Sequence, residues 1–476
     1  MIEALAYTLL GFQIFILSYF TAVNGLYTTF VVISLYHIFK FAVLIRKERV
    51  EKVVSRVLYR PISIIVPAYN EEQTIVDNVK SLLSLNYPEF ELVVVNDGSQ
   101  DSTLQRLIES FRLVRLDRPV RLVLNHREIR NIYVSLDFPN LLVVDKENGG
   151  KADALNCGIN VCSYPLFCCI DADSILEETA LLRASRLFVE DREVVATGGF
   201  VRVLNGSVVS GGNVVEIRAP KKWIETFQVI EYVRGFLTGR TAWNIFNSLL
   251  IISGAFGIFR KDMVVRIGGY RKTVGEDMDL VVRLHKYCTD NKIPYKILFL
   301  PDPVCWTQVP SDVKSLLSQR NRWHRGLIDS LWHSKEMFFN PKYRWAGVFG
   351  FPYFFFVEAL GPTVEFIGYL SVIAFYLTGL LARDFALLFF LVAFLWGSLI
   401  STGSVLLDNL MYRRYGRLRD ILKLLLFGFL EMFGYRQMIV MERFTATFQF
   451  WYRSWGRQRR KKIHEITRQT AQKSLN

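Results

Sequence analysis

The sequence predicts an α/β domain, with a parallel sheet covered on both faces, inserted between apolar helices at either end of the chain. Three observations carry this expectation. Short β-branched runs alternate with amphipathic segments from Pro61 onward, the pattern of strands buried on both faces by crossover helices. Long apolar stretches flank that region, from Ala4 to Val43 and again beyond Trp345. The 476 residues are also 51% hydrophobic, with a mean hydropathy of +0.22, too apolar for an ordinary soluble protein of this length.

The first stretch, Ala4 to Val43, sets the membrane reading. About 40 residues of helix span about 60 Å, twice the hydrocarbon core of a bilayer. Two helices are therefore expected, about Leu5–Thr21 and Leu26–Leu44, turning at Asn24-Gly25; one crossing plus an interfacial helix is the alternative. No basic segment precedes the run, which argues against a cleaved signal peptide. The basic stretch Arg46-Lys47-Glu48-Arg49 places the following domain in the cytoplasm by the positive-inside rule.

The α/β region follows. Ser63-Ile64-Ile65-Val66 reads as a buried strand leading into Pro67-Ala68-Tyr69-Asn70-Glu71-Glu72. A helix over Thr74–Leu85 places Ile75, Val79, Leu82 and Leu83 on one face. Leu92–Val95 is a second strand ending in Asn96-Asp97-Gly98-Ser99, and Ser102–Ile108 a second helix. Arg112–Arg130 has poor periodicity and reads as an excursion. Leu141–Val144 is a third strand; Gly149-Gly150-Lys151 then opens a helix through Cys162.

The second half is less regular. Trp223–Trp243 is helical and amphipathic, and Ile251–Phe259 is apolar with Gly254 and Gly257 marking close backbone approach. Gly275-Glu276-Asp277 precedes a helix through His285. Val313–Trp332 mixes Arg320, Arg322 and Arg325 with Leu316, Leu317, Trp323 and Leu327, so it is expected to lie on the cytoplasmic leaflet. Gly347–Leu381 is expected to be kinked at Gly361-Pro362, and Phe385–Leu407 is a membrane span. The basic loop Tyr412–Arg419 reads as cytoplasmic, which requires an even number of crossings before it. Two crossings fit if Gly347–Leu360 is interfacial or extends the next helix. Ile421–Met438 carries Glu431 and Arg436 and fits either a span or an interfacial helix. The expected domains are 1–46 (membrane), 60–310 (α/β), 311–345 (interfacial), 346–456 (membrane) and 457–476 (basic cytoplasmic tail).

Net charge is +14, from 58 Lys and Arg against 44 Asp and Glu. Nucleic acid, an anionic membrane or phosphorylated substrates would each account for it. The basic residues cluster beside apolar runs, as at Arg46–Arg49 and Arg457–Lys462, and no nucleic-acid-binding module is present, so nucleic acid is excluded as a partner. The six cysteines form no Cys-x-x-Cys pair and read as reduced core residues.

The chemistry centres on Phe167-Cys168-Cys169-Ile170-Asp171-Ala172-Asp173-Ser174. An apolar strand, Pro165–Ile170, delivers two carboxylates spaced i, i+2 to the mouth of the sheet, where open α/β sheets bind ligands. Two hard oxygen donors suit Mg²⁺ or Mn²⁺ shared with substrate phosphates. A plain strand-end turn would use the same residue types. Further along stand Asp97, Asp277 and Gln319-x-x-Arg322-Trp323. Each is ordinary alone, whereas the ordered set within one domain is specific.

The set Val66-Pro67-Ala68-Tyr69-Asn70-Glu71, Asn96-Asp97-Gly98-Ser99, Asn148-Gly149-Gly150-Lys151-Ala152, Asp171-Ala172-Asp173, Gly275-Glu276-Asp277 and Gln319-Arg320-Asn321-Arg322-Trp323 resembles the membrane-integrated family-2 glycosyltransferases. That group includes the cellulose, chitin, hyaluronan and poly-N-acetylglucosamine synthases, and the last is the nearest in layout. The resemblance runs through Pro61 to Gly326. It implies a GT-A fold, a Rossmann-like nucleotide-sugar domain, and inverting transfer from a UDP-sugar, with UDP-N-acetylglucosamine favoured. The product would be a β-linked extracellular polysaccharide, elongated and passed across the membrane. Single-sugar transfer to a lipid acceptor and a non-catalytic nucleotide- or polysaccharide-sensing module are the alternatives.

By the same resemblance, Asp173 and Asp171 hold Mg²⁺ or Mn²⁺, and Asp277 is the general base, with Glu276 beside it raising its pKa. Ala68, Tyr69, Glu71, Asp97, Lys151, Asp171 and Arg322 bind the nucleotide sugar. Trp323, Gln319 and the loop Gly254-Ala255-Phe256 bind the acceptor. Trp306, Tyr353 and Phe354 are candidates to line a sugar channel. The implied location is the plasma or inner membrane, multi-pass, with room for an accessory subunit. Two features depart from the family pattern: Asn96 stands where an aspartate is common, and the Phe-x-Val-Thr-x-Lys gating loop of cellulose synthases is missing, which argues against cellulose as product.

Overall fold

The computed structural model describes residues 2–51, 59–210 and 212–449. Among them the β-branched runs form a ten-stranded sheet in the order β3-β4-β5-β2-β1-β6-β11-β8-β12-β7. Its centre follows the sequence closely. Strands β1 (Ile62–Ala68), β2 (Phe90–Asp97), β5 (Leu141–Lys146) and β6 (Leu166–Cys169) are parallel neighbours, buried almost throughout. Helices α2 (Ile75–Leu83), α3 (Thr103–Ser110) and α4 (Lys151–Val161) follow the first three of these central strands in sequence. All six cysteines are buried and free, as expected of reduced core thiols.

The sheet is mixed, not parallel throughout. On one side β3 (Leu113–Arg115) and β4 (Ile129–Ser135) add antiparallel strands. Both lie within or beside the Arg112–Arg130 segment read as an excursion. The three-residue β3 covers only the Tyr133–Ser135 end of β4, so β4 is half-buried and Arg130 and Asn131 interrupt any apolar run. On the other side β11 (Gly257–Arg260) lies antiparallel between β6 and β8 (Val194–Val203). Beyond them, β12 (Lys296–Thr307) runs parallel to β8, and the short β7 (Ile175–Leu176) closes the edge. Helix α5 (Ala180–Glu190) packs on β8, and β9 (Val208–Ser210) and β10 (Asn213–Glu216) form a separate hairpin.

Three helices are long and apolar enough to cross a membrane among the described residues. The first is part of α1 (Ile2–Glu51), whose apolar stretch is Leu10–His37. The turn expected at Asn24-Gly25 does not form. The Asn24 amide donates to the Val392 carbonyl at 2.7 Å and the Trp396 indole N–H donates to Thr28 at 2.9 Å, so neighbouring helices satisfy the polar groups that suggested a break. After α6 (Trp223–Tyr232), α7 (Glu276–Asp290) and α8 (Val313–His333), the other two candidate spans are α9 (Ala346–Leu377) and α10 (Arg383–Tyr412). The segment before Gly361-Pro362 thus extends α9.

Helices α11 (Leu418–Leu430) and α12 (Tyr435–Phe448) are bent by 55° at a short break, giving a fourth span if the pair is counted as one. The break holds Glu431, ion-paired with Arg234 at 2.7 Å, and Gly434 at φ +98°, a conformation that favours glycine. Arg436, just beyond, pairs with Glu365 of α9 at 2.6 Å. These pairs place the two ionisable residues within the helix bundle, where charges in membrane segments belong. The basic tail expected from Arg457 lies outside the described residues.

Candidate active site

The four central strands end on one side of the sheet, and the motif residues follow from those ends. Beyond β6 the Ile170 N–H still pairs with the Ile65 carbonyl (3.1 Å), and the chain then turns, with Ser174 N–H donating to the Asp171 carbonyl at 3.0 Å. The turn reading and the site reading therefore hold together: Asp171 and Asp173 occupy the turn between β6 and β7. Beside it Lys151 opens α4 directly after Gly150 at φ +91°. Its ammonium bridges Asp171 at 2.7 Å and Glu276 at 3.1 Å. One lysine thus joins the Asp-x-Asp turn to the Gly-Glu-Asp segment, although 105 residues separate Asp171 from Glu276.

Glu276 and Asp277 reach this point because α7 is pressed onto α8 without side chains between them. A Cβ placed on Gly275 would come within 2.7 Å of the Gly326 Cα, and one on Gly326 equally close to the Gly275 Cα. The Ser330 hydroxyl, on α8, donates to the Gly326 carbonyl at 2.8 Å, one turn back. This backbone contact sets the N-terminus of α7, with Glu276, Asp277 and Asp279 in its first turn, beside the Gln319–Trp323 motif. Acidic side chains there are also stabilised by the helix dipole.

Helix α8, expected on the cytoplasmic leaflet, turns several of its polar residues toward other elements of the protein. Arg320 is buried, ion-paired with Glu231 and stacked 4.4 Å over the Trp323 ring. Asn321 donates to Glu442 (2.7 Å) and Gln449 (3.0 Å), tying α8 to α12. The polar residues of this helix serve as its packing face against other elements, while Trp323 remains 46% exposed.

These elements enclose a cavity of about 510 Å³. Lys151, Asp171, Asp173, Glu276, Asp277, Gln319, Arg322 and Trp323 line it, together with Gly254 and Ala255 of the expected acceptor loop. The same cavity reaches Tyr27 of α1, Tyr353 and Phe354 of α9, Ile400 of α10 and Arg436 of α12. Catalytic-domain carboxylates and membrane helices therefore share one space. Of the three aromatics expected along a channel, Tyr353 and Phe354 line this cavity, whereas Trp306 is buried outside it and donates its indole N–H to Glu177 at 2.8 Å.

The electrostatics of the carboxylates follow from burial. Asp173 is 6% exposed, and its carboxyl is pushed up to about 7, by burial first and by Asp171 second. Glu276 is raised in the same direction, by burial and by Asp277, against the pull of Lys151. Burial works against the Lys151 cation, but Asp171 and Glu276 outweigh it and hold its pKa well above the ordinary value. Two adjacent carboxylates at a strand mouth are the protein donor set Mg²⁺ or Mn²⁺ uses when phosphates complete the shell. Among the described residues no third His, Cys, Asp or Glu joins them in a metal-binding group. Asp171 and Asp173 thus fit a cation shared with a phosphorylated ligand, not one caged by protein.

Other expected residues stand apart from this cavity. Ala68 ends β1, and Tyr69 and Glu71 follow it, with Tyr69 exposed; none lines the cavity. Asp97 is buried and engaged within the protein: Lys146 binds it at 2.6 Å, and the Gly149 and Gly150 N–H groups donate to it at 3.0 and 2.7 Å. Asp97 thereby fixes the turn that presents Lys151. The missing carboxylate at position 96 is offset by Asp145, to which the Asn96 amide donates at 2.8 Å. Phe256, expected at the acceptor, is fully buried against the sheet, because its side chain fills the space left by Gly199. Conversely, Tyr232 and Arg240 line the cavity from α6 and its π-helical continuation, Val233–Arg240. No motif marked them; their only sequence signal was membership of the helix Trp223–Trp243.

Comparison with known proteins accords with this geometry. The model for glycosyl transferase family 2 matches residues 63–264, and that for glycosyl transferase family group 2 matches residues 166–400. Residues 63–400 thus carry glycosyl transferase family 2 domains, built on a GT-A-like mixed sheet with apolar helices on both sides. The chain is 30% identical over 267 residues to a poly-beta-1,6-N-acetyl-D-glucosamine synthase of Staphylococcus epidermidis, covering 56% of this chain and 54% of that protein. It is 29% identical over 266 residues to the synthase of the same name from Staphylococcus aureus strain COL, with the same coverages. The chain thus spans about half the length of the curated relatives it matches. Among solved structures it is similar to a mannosyltransferase from Pyrobaculum calidifontis in complex with GDP-Man and Mn²⁺, at 18% identity and TM-score 0.45, covering 88% of this chain and 99% of that one.

Proposed function

We propose that the protein is an inverting glycosyltransferase of the cell membrane that elongates a β-linked polysaccharide from a UDP-sugar, UDP-N-acetylglucosamine by preference, and feeds the product between its membrane helices. The observation that carries this reading is the shared cavity. Asp171, Asp173, Glu276 and Asp277 line it together with Tyr27, Tyr353 and Arg436. A transferase that handed one sugar to a soluble acceptor would have no use for the membrane-helix side of it. Similarity to the staphylococcal synthases supports the choice of sugar.

Inverting transfer is one in-line displacement at the anomeric carbon. The acceptor hydroxyl must lose a proton as the diphosphate leaves. Asp277, at the cavity wall and at a helix N-terminus, takes that proton as general base. Glu276 is held by Lys151 and keeps the base segment against the donor side. Lys151 and Arg322 stand beside Asp171 and Glu276, where they place positive charge near the leaving diphosphate. Asp171 and Asp173 would hold Mg²⁺ or Mn²⁺, which when bound supplies Lewis-acid neutralisation of that diphosphate. Trp323 offers a flat apolar face to the acceptor sugar and Gln319 a neutral polar group. The basic residues beside the apolar runs support a cytoplasmic site, with three or four crossings around it. Purified protein incubated with a panel of nucleotide sugars and Mg²⁺ or Mn²⁺ tests the proposal: UDP release with UDP-N-acetylglucosamine is expected, and release with no donor in the panel would overturn it.

A further inference from the structure

The arginines of the cavity divide into two kinds. Arg320, Arg234, Arg436 and Arg443 each hold a glutamate: Glu231, Glu431 (2.7 Å), Glu365 (2.6 Å) and Glu358 (3.1 Å). Such pairs are neutral as units and serve packing. Arg240 differs. Among the described residues no carboxylate lies within ion-pair distance of its guanidinium, whose central carbon instead sits over the Phe236 ring, 3.8 Å from the centroid. Phe236 in turn stacks on Tyr232, with centroids 5.5 Å apart. Tyr232, Phe236 and Arg240 form a ladder along one wall of the cavity. The ladder is built by a π-helical stretch, a rare backbone form that recurs at functional sites.

The ring contact holds the guanidinium in place and leaves its N–H groups for a partner that the described residues do not provide. Among the charges that act on Arg240 is Asp277, and among those that act on Arg322 are Glu276 and Asp171; all five residues line the same cavity. The diphosphate side therefore already has Lys151 and Arg322. Arg240 stands on the side of the base, where the acceptor hydroxyl must lie. A fixed fork of donors over an aromatic ring suits the vicinal oxygens of a sugar. Resting on the transferase reading above, we infer that Arg240 binds the terminal sugar of the acceptor saccharide and orients its attacking hydroxyl toward Asp277. Trp323 contributes its flat face from a different element, α8.

The test uses the full-length protein with UDP-N-acetylglucosamine as donor and a defined N-acetylglucosamine oligosaccharide as added acceptor. Arg240→Met is expected to raise the half-saturating acceptor concentration about 10- to 100-fold, the range of a lost charge-assisted hydrogen bond. UDP affinity should stay within about twofold of wild type by that arithmetic. Arg240→Lys keeps the charge but loses the fork and should recover only part of the loss; Arg240→Gln replaces the Met variant if the latter melts early. An unchanged acceptor dependence in these variants would overturn the inference, as would weakened UDP binding, which would move Arg240 to the donor. If the wild-type protein itself transfers no sugar, it is the transferase reading that fails.

Discussion

The contact between Gly275 and Gly326 offers a sharp test of how the site is assembled. A Cβ on Gly326 would stand 2.7 Å from the Gly275 Cα, 2.8 Å from its nitrogen and 3.1 Å from the Val274 carbonyl carbon. All three are backbone atoms, so no side chain can swing aside. Ordinary contact begins at 3.4 Å, and Gly326→Ala must therefore push the start of α7 from α8 by about 0.7 Å if the backbone yields evenly. A misplacement of about 1 Å in a catalytic group costs about 10²-fold in rate. Since Glu276 and Asp277 ride on the displaced turn, Gly326→Ala should lower kcat about 10- to 100-fold. Stability should fall by about 1–3 kcal/mol, the usual cost of overpacking. UDP binding to the β6–α4 side should change far less. The assay is steady-state UDP release alongside UDP titration, with thermal melting as control. Gly275→Ala should behave alike, and the double variant should lose less than the two single losses combined, because both relieve one contact. Wild-type turnover in a stably folded Gly326→Ala protein would refute the argument that this contact positions the base.

Three further predictions follow from the site and the core. Asp173→Ala should abolish turnover at every Mg²⁺ or Mn²⁺ concentration, and a chelator should stop the wild-type reaction until cation is restored; undiminished turnover with chelator would refute the metal role of Asp171 and Asp173. Lys146 is fully buried between Asp97 and Asp153, each at 2.6 Å, so Lys146→Met should cost about 3–5 kcal/mol in stability, the penalty for stranding buried partners; an unchanged denaturation midpoint would contradict it. His285 is buried, with one ring nitrogen 2.9 Å from the Leu249 carbonyl and the other 2.9 Å from the Tyr295 hydroxyl, and burial lowers its pKa to about 4. Because the folded pKa lies below the ordinary 6.5, its neutral form supports the fold above pH 6.5. That support is lost as pH falls toward 4, by about 3 kcal/mol at 1.36 kcal/mol per unit. The stability gap between wild type and His285→Gln should shrink accordingly over that window, and a pH-independent gap would argue against a buried neutral imidazole.

The parts of this molecule legible in its sequence were those with a local cause. Ile62–Ala68, Leu92–Val95 and Leu141–Val144 are apolar because both faces of the central sheet are covered, and they read as strands at once. Asp171 and Asp173 were visible because a buried strand must end where its sequence turns polar. Strand β4, next to the edge, was not, since half-burial lets Arg130 and Asn131 into it. The continuity of α1 through Asn24-Gly25 depends on Val392, 368 residues away, which no window along the chain contains. The partner of Arg320 on α8 was equally hidden, because Glu231 neutralises it from another element. Arg240 had no motif around it, and only the fold brings it to the wall that Asp277 shares.

The central claim is that one cavity joins the acidic cluster to the membrane helices, so the sugar chain grows within it. Product length after incubation of the membrane-reconstituted protein with labelled UDP-N-acetylglucosamine and Mg²⁺ tests this most directly. Long polymers that disappear in Asp277→Asn are predicted; products carrying a single added sugar, or polymers of undiminished length from Asp277→Asn, would contradict it.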